Sequence, residues 1–296
     1  MKFKDFIPPI FEKAILSLTS PKLKNYKIGR YNIDIPDNFS LPGHQVNFKL
    51  YDRFLPVLAK NVDSPTKVII DVGANIGDTA IAMLQECSNP IICIEPSDVF
   101  FKYLETNLGK LNAVDRARIK TIKSLAGSGS ISGTLDHNTE STASIKIAEN
   151  PTSETHVSLD KLIADNTNVI MLKVDTDGFD FDVIRSAKQI LTESEPVLFW
   201  ENEISEDFQF NGYLEMYEIL KAKGYKYLYI FDNFGNLIAE ESDFNTLENI
   251  NRYLFTMKTS NTTRTFYYTD VLAVTDKYHH LAQKAISDFR KEWIYR

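Results

Sequence analysis

Apolar and polar positions follow two alternating patterns along most of the chain. Runs that are apolar nearly throughout, such as KVIID and VIMLKVD, are typical of strands buried on both faces of a sheet. Between them lie segments with apolar residues every three or four positions, as in amphipathic helices. The predicted strands are 67–72, 90–95, 118–125, 168–175, 196–202, 225–231 and 266–274; the predicted helices are 76–87, 97–110, 158–165, 180–192, 211–223 and 276–292. This order predicts an α/β fold with a doubly wound, mostly parallel sheet.

Three regions depart from this alternation. Residues 1–60 form an N-terminal extension before a domain that spans residues 61–296, and the latter half of its closing segment, LPGHQVNFKLYDRFLPVLAKN, is predicted to be helical. Residues 126–157 are rich in Gly, Ser, Thr and Asn, which predicts a long loop or a small hairpin. Near the C-terminus, YKYLYIFDNFGNLIAE and TFYYTDVLAVT are predicted to pair as antiparallel strands, with DNFGN as a turn. Ser97 and Asp180 are expected to cap the helices that follow them.

Composition narrows the classes of function. The net charge is −7 and the pI is about 5.4, which argues against a protein that binds nucleic acid through its phosphates. The two cysteines, Cys87 and Cys93, predict reduced thiols and a cytoplasmic location. No apolar run reaches the length needed to span a bilayer. The first 25 residues make a poor signal peptide; they predict a helix that caps the domain, with peripheral membrane contact as the alternative.

A glycine turn is the strongest chemical signal. In KVIIDVGANIGD, a buried strand ends at Gly73 and a helix begins after Gly77, while Glu95 closes the next strand, 22 residues after Gly73. A dinucleotide site would have a third glycine where Asp78 stands, and Asp78 would place negative charge beside a pyrophosphate. The pattern therefore favours a nucleoside cofactor without phosphate, S-adenosylmethionine, whose ribose hydroxyls an acid would hold. A nicotinamide-dependent oxidoreductase is the alternative.

The segments DVGANIGDTAIA, CIEPSDVFFKYLETNL, SLDKL, MLKVDTDGFDFDVIRSAKQIL and VLFWENE together resemble the FkbM-type family of S-adenosylmethionine-dependent methyltransferases. The similarity covers about residues 44–275, and KVDTDGFDFDVI is its most specific part. The resemblance implies a Rossmann-like sheet of the class I methyltransferase type with an added antiparallel strand. It also implies methyl transfer to oxygen, commonly a hydroxyl of a sugar or related metabolite, with S-adenosylhomocysteine as the product.

The same resemblance implies a set of cofactor contacts. The first cofactor motif comprises Asp71, Gly73, Asn75 and Gly77, and the ribose-binding acid is Glu95. Beside the adenosine lie Pro96 and Ser97, and near the adenine lie Ser124, Leu125 and Ala126.

Acidic residues follow two later strands. Lys173 and Asp175 point the same way from one strand; Asp175 is expected at the methionine end of the cofactor or at the acceptor. For Lys173, a catalytic role and a structural ion pair are equally favoured. Asp177 is a substrate contact or a turn residue. Glu201 and Glu203 lie on one side of the next strand, where they would bind the acceptor or act as the base, although a solvated loop acid explains at least one of them.

Two further residues complete the candidate site. His44 lies in a segment that could fold over the crevice and is the best candidate base among the five histidines. Trp200 is expected to border the acceptor pocket, with core packing as the alternative. The acids could bind Mg²⁺, but methyl transfer needs no metal when a base is present, so none is predicted.

The predicted function is O-methylation of a sugar or glycan precursor, with N-methylation of an amino sugar left open. A catalytically inactive glycan-binding module on the same fold is the alternative from another class of protein.

Overall fold

The computed structural model describes residues 22–129, 133–137, 143–147, 156–163 and 168–295. The strands are β1 (Leu23–Ile28), β2 (Tyr31–Pro36), β3 (Val68–Val72), β4 (Ile91–Ile94), β5 (Ile119–Ile122), β6 (Gly133–His137), β7 (Ala143–Ile147), β8 (Val169–Val174), β9 (Val197–Asn202), β10 (Tyr227–Asp232), β11 (Leu237–Ser242) and β12 (Thr269–Val274).

The helices are α1 (Leu41–Asn47), α2 (Phe54–Asn61), α3 (Asp78–Leu84), α4 (Asp98–Leu108), α5 (Ala113–Arg116), α6 (Leu159–Leu162), α7 (Asp180–Arg185), α8 (Lys188–Glu193), α9 (Asp207–Ala222), α10 (Phe244–Thr259) and α11 (His279–Phe289). A short π-helix, Arg290–Ile294, follows α11.

An eight-stranded sheet forms the centre of the molecule, in the order β11-β10-β12-β9-β8-β3-β4-β5. The five strands from β9 to β5 in that order are parallel, whereas β12 is antiparallel to both of its neighbours and β11 is antiparallel to β10. The predicted doubly wound sheet and its antiparallel C-terminal strand are confirmed. The chain passes from β3 to β4 on one side and returns to β8 on the other. The carboxyl ends of β3 and β8 therefore flank the switch point where such sheets bind ligands.

Apolar layers cover both faces of the sheet. Ile69, Met171 and Phe199 belong to one buried cluster, whereas Ile70 and Trp200 belong to the cluster on the other face. Successive side chains of a strand point to opposite faces, so strands covered on both sides must be apolar throughout. This explains why the continuous apolar runs identified the central strands.

The N-terminal extension packs against the domain. Helix α2 lies in the latter half of residues 41–61, which was predicted to be helical, whereas α1 and the β1–β2 hairpin were not predicted. Tyr31, Ile33 and Ile35 alternate with more exposed residues and join the same buried cluster as helices α2, α3 and α4. The domain boundary near residue 60 remains a prediction.

Two helices differ from the predicted pattern. The predicted helix 180–192 is divided into α7 and α8 at Ser186, whose hydroxyl donates to the Val183 carbonyl at 2.7 Å and accepts from the Leu159 amide at 3.0 Å. Such local side-chain bonds compete with helix continuation. Helix α10 was not predicted; Asp243 caps it by accepting from the Thr246 amide at 2.8 Å.

One predicted cap is confirmed and the other is wrong. The Ser97 hydroxyl accepts a hydrogen bond from the Phe100 amide at the start of α4. Asp180 is not the N-cap of α7, because that position is held by Phe179. Its carboxylate instead accepts hydrogen bonds from Thr176, after β8, and from Glu201, near the end of β9.

Two sequence-based expectations involve residues that the structure describes only in part. Within residues 126–157, the β6–β7 hairpin supports the hairpin alternative. The predicted capping helix or membrane contact concerns the first 25 residues, of which residues 1–21 lie outside the described residues and Leu23 begins β1. Among the helices that are described, none is both long enough and apolar enough to cross a bilayer.

Candidate active site

A cavity of about 530 Å³ opens at the carboxyl ends of β3, β4, β8 and β9. Its volume lies in the range of about 300–1,000 Å³ that is usual for small-molecule sites. Helix α1 and the loop after it form part of the wall. The predicted site residues that line it are His44, Gly73, Asn75, Glu95, Pro96, Ser124, Leu125, Ala126, Lys173, Asp175, Asp177, Glu201 and Glu203. Asp71, Gly77 and Ser97 do not line this cavity and support its wall from behind.

The turn after β3 requires its glycines. Gly73 and Gly77 have φ angles of +73° and +86°, a region that other residues adopt only with strain. A Cβ on Gly73 would lie 1.7 Å from the carbonyl oxygen of Asp175, and one on Gly77 would lie 2.7 Å from Leu104 Cδ1. Asn75 is also left-handed, with φ +48°, and Asn tolerates that conformation better than most residues. The turn is therefore held tightly between β8 and α4.

Glu95 connects this turn to the end of β4. One carboxylate oxygen accepts a hydrogen bond from the Asn75 amide at 2.9 Å, and the other accepts one from the Ser97 amide at 2.8 Å. A carboxylate has about four acceptor positions, so capacity remains for a ligand in the cavity that Glu95 lines. Burial raises the pKa of Glu95 to about 7, although the Ser97 and Asn75 amides oppose that shift. Glu95 is thus placed to accept further hydrogen bonds from a ligand in the cavity.

Lys173 and Asp71 form a buried ion pair beneath the cavity. They are direct neighbours in the β3–β8 register, and Lys173 Nζ lies 2.9 Å from Asp71 Oδ1. Lys173 also donates to the Gly73 carbonyl at 3.1 Å and lies 3.5 Å from Asp175 Oδ2. Burial alone would lower the pKa of Lys173, but the carboxylates of Asp71 and Asp175 raise it above its usual value. Lys173 therefore stays protonated and cannot act as a base. Its geometry fits the structural alternative, in which it fixes the turn and Asp175.

The acids after β8 and β9 converge on the same wall. Asp180 connects the loop after β8 to the end of β9. One of its oxygens accepts hydrogen bonds from the Thr176 amide at 3.0 Å and the Thr176 hydroxyl at 2.8 Å, and the other accepts one from the Glu201 amide at 3.1 Å. Asp177 sits in a left-handed turn, with φ +52°, as its turn interpretation suggests. Asp180 is therefore a positioning residue that the sequence analysis assigned only to helix capping.

Glu201 has an unsatisfied oxygen. Its Oε2 is inaccessible to solvent and has no hydrogen-bond partner among the described residues. Burial, followed by the charges of Asp175 and Asp177, raises the pKa of Glu201 well above its usual range. A buried acceptor without a partner costs about 1–3 kcal/mol, and a ligand that donates a hydrogen bond would remove that cost.

The N-terminal extension contributes His44, Tyr51 and Asp52 to the wall. The rings of His44 and Tyr51 meet edge to face, with centroids 5.0 Å apart, and His44 Nδ1 has no hydrogen-bond partner among the described residues. Asp52 lines the cavity and is itself exposed to solvent. Asp52 was not among the predicted site residues, because its only local signal is an acid beside a predicted helix, which does not place it in the cavity.

The prediction for Trp200 is wrong. Its side chain is fully buried in the cluster on the other face of the sheet and is absent from the cavity wall. The indole nitrogen donates to Asn202 Oδ1 at 3.2 Å. Because side chains alternate along β9, Trp200 faces away when Glu201 faces the cavity.

The wall fits S-adenosylmethionine better than a dinucleotide. Asp78, at the start of α3, faces the cavity and would repel a pyrophosphate. Glu95 would hold the ribose, the glycine turn would follow the methionine end, and Ser124, Leu125 and Ala126 would border the adenine. Among the residues described, no group of three or more His, Cys, Asp or Glu is arranged to hold a metal ion.

A phosphate-free nucleoside site at the switch point of a doubly wound sheet defines the class of Rossmann-like methyltransferases. The chain belongs to the FkbM methyltransferase family, because the family model "Methyltransferase FkbM domain" matches residues 71–227, more than half of its length. The enzyme is therefore an S-adenosylmethionine-dependent methyltransferase, and the alternative of a nicotinamide-dependent oxidoreductase is rejected.

Solved structures show weaker similarity. An O-methyltransferase from Bacillus cereus, solved in complex with SAH, is 13% identical with a TM-score of 0.46, over 80% of this chain and 88% of the other. The O-methyltransferase TomG from Streptomyces achromogenes, solved with SAM, is 13% identical with a TM-score of 0.45, and the match covers 90% of this chain and 96% of TomG. A methyltransferase FkbM from Methylobacillus flagellatus is 13% identical with a TM-score of 0.39, and the match covers 70% of this chain and 44% of the other. The comparison with curated proteins found no match.

Proposed function

We propose that the enzyme methylates a hydroxyl oxygen of a sugar or glycan precursor. The observation that carries this proposal is the set of acids on one wall, Asp175, Asp177, Glu201 and Glu203. Carboxyl groups at this density suit a ligand with many hydroxyl donors. Among the described residues of the wall, Lys173 and His44 are the basic ones, and Lys173 is already engaged by Asp71. Such a wall disfavours an acceptor that carries phosphate.

Bound S-adenosylmethionine supplies a methyl group activated by positively charged sulfur. The side chains must hold the acceptor oxygen in line with the carbon–sulfur bond that breaks, about 3–3.5 Å from the methyl carbon. They must also remove the hydroxyl proton as the new oxygen–carbon bond forms. Glu201, with an unsatisfied oxygen, and His44, with an unpartnered ring nitrogen, are the two candidate bases. Asp175 would orient the methionine end or the acceptor.

The experiment that tests this function is methyl transfer from labelled S-adenosylmethionine to a panel of neutral, amino, N-acetylated and phosphorylated sugars. We expect label in at least one carbohydrate product, in an ether linkage that mass spectrometry identifies. Label on nitrogen would instead select the N-methylation alternative. Binding of S-adenosylhomocysteine without transfer to any sugar would contradict the proposal and favour the inactive glycan-binding module.

Two further proposals concern the chain as a whole. Residues 1–60 act as a cover for the methyltransferase domain, 61–296, which is supported by the packing of β2 and α2 against it. The enzyme works in the cytoplasm, which is supported by Cys87 and Cys93 both being free thiols. Peripheral membrane contact through the first 25 residues stays a prediction.

A further inference from the structure

A second, smaller cavity of about 60 Å³ adjoins the main one. Both cavities are lined by Tyr51, Asp52, Asp175, Glu201 and Tyr268, and the smaller one also reaches Asp270 on β12. We call this smaller cavity, with those six residues, the inner chamber. Its Glu201 and Asp270 lie on β9 and β12, whereas Glu95 follows β4, and β8 and β3 separate these strands in the sheet. An acceptor that reaches the methyl group from this side would extend into it.

Two acids face each other in the inner chamber. Asp270 and Glu201 are direct partners in the antiparallel β12–β9 register, a position where Cβ atoms lie about 4.5–5.5 Å apart and like charges are destabilising. Neither carboxylate forms an ion pair with a Lys or Arg among the described residues, and Glu201 Oε2 has no hydrogen-bond partner there. Folding gains nothing from this arrangement, so the pair points to a ligand that satisfies it.

The charge around this pair is also negative. Asp52 and Asp175 line the inner chamber, and Lys173 is its one basic side chain among the residues described. Lys173 does not neutralise the pair, because its ammonium is directed to Asp71, Asp175 and the Gly73 carbonyl. Aromatic residues also line this cavity: Tyr51, Phe54, Phe199, Phe231 and Tyr268. Carboxylates together with aromatic side chains are the groups that bind ammonium ions in proteins.

We propose that the inner chamber binds a protonated amino group of the acceptor, between Asp270 and Glu201, so that the sugar methylated by this enzyme carries a free amine. This inference rests on the proposed function. Glu201 lines both cavities, so it can contact the ammonium and the reacting hydroxyl of one acceptor. Burial and neighbouring carboxylates, Asp175 first, raise the pKa of Asp270, and a cation in the inner chamber would reverse that shift. The described residues offer no metal-binding group of three or more ligands, so an ammonium is the favoured cation.

The test uses matched ligands on the full chain with S-adenosylhomocysteine bound. Calorimetric titrations would compare glucosamine, N-acetylglucosamine, glucose and glucose 1-phosphate, and the corresponding galactose series. In at least one series we expect the amine to bind at least tenfold more tightly than its N-acetyl and neutral partners, and the phosphate to bind most weakly. Asp270→Asn should remove about tenfold of the preference for the amine and leave S-adenosylhomocysteine binding unchanged. Asp276→Asn, an exposed acid on the segment after β12, is the control and should keep the preference.

The outcomes separate this inference from the proposed function. Equal binding within every matched pair, a preference for the phosphate, or a preference that survives Asp270→Asn would overturn the inference, while methyl transfer to any sugar would still support the proposed function. If no sugar binds or is methylated although S-adenosylhomocysteine binds, both fail. Should Asp270→Asn not fold, as judged by loss of S-adenosylhomocysteine binding, the wild-type comparison of matched ligands decides alone.

Discussion

At the residue scale, the identity of the base depends on two side chains, Glu201 and His44. Glu201→Gln keeps the shape of the side chain but removes its capacity to accept a proton. We expect this change to lower kcat by about 10²–10⁴-fold, the usual contribution of a general base, with S-adenosylhomocysteine binding retained. His44→Gln is the matched comparison, measured by initial rates of methyl transfer. If His44→Gln loses the activity and Glu201→Gln keeps it, His44 is the base.

The ionisation of Glu95 gives a second prediction. Burial raises the pKa of this carboxyl to about 7, and only the ionised form can accept hydrogen bonds from both ribose hydroxyls. The affinity for S-adenosylhomocysteine should therefore rise as the pH increases from 6 to 8, by up to tenfold per unit below the pKa, and then level off. Calorimetry at a series of pH values checks this. In Glu95→Gln, the part of this pH dependence of affinity that is due to Glu95 should disappear. If the wild type and Glu95→Gln show the same dependence of affinity on pH, the prediction is wrong.

At the scale of single elements, the turn after β3 makes a steric prediction. Gly73 has φ +73°, and an added Cβ would meet the Asp175 carbonyl oxygen at 1.7 Å. Because that neighbour is backbone, Gly73→Ala should destabilise the protein by about 3 kcal/mol or more, or prevent folding. Gly43→Ala is the control, since nothing lies within 4 Å of its position in α1, and should be neutral or slightly stabilising. Denaturant unfolding distinguishes them, and equal stability of the two variants would refute the assigned strain.

The central strands could be predicted from the sequence because burial makes their residues apolar. Strands β3 and β8 are buried at every position, so their apolar runs and the acids that end them could be read directly. Helix α10 was missed because its sequence, FNTLENINRYLFTMKT, is mostly polar and buries only four residues. The break between α7 and α8 depends on Ser186 meeting Leu159, a contact distant along the chain.

The residues of the candidate site could also be predicted only where local sequence determines their position. Glu95 and the glycines follow from local motifs, because their positions relative to neighbouring strands are fixed by the α/β order. Asp270 could not be found in this way, since it reaches the site through the antiparallel register of β12 with β9. Asp52 requires the N-terminal extension to pack over the cavity. Trp200 was misassigned because the sequence alone does not say which alternating face of β9 opens into the cavity.

At the scale of the whole molecule, the buried acids should make stability depend on pH. Burial raises the pKa of Glu95 and Asp180 to about 7 and that of Asp78 to about 6. Each group binds its proton more tightly in the folded state, so its stabilising contribution is complete below the ordinary carboxyl pKa and is lost as the pH rises through the folded pKa. The ligand-free protein should therefore melt at a higher temperature at pH 6 than at pH 8. Thermal unfolding at matched ionic strength measures this, and a higher melting temperature at pH 8 would contradict it.

The central claim is that this enzyme holds the ribose of S-adenosylmethionine through Glu95 at the switch point of its sheet. Its most direct test is the affinity of S-adenosylhomocysteine for the wild type, for Glu95→Ala and for the surface control Glu218→Ala, measured by calorimetry. Loss of hydrogen bonds to a charged group costs about 1.5–3 kcal/mol. We therefore predict that Glu95→Ala binds at least tenfold more weakly and that Glu218→Ala binds as the wild type does. Undiminished binding by Glu95→Ala would contradict the account.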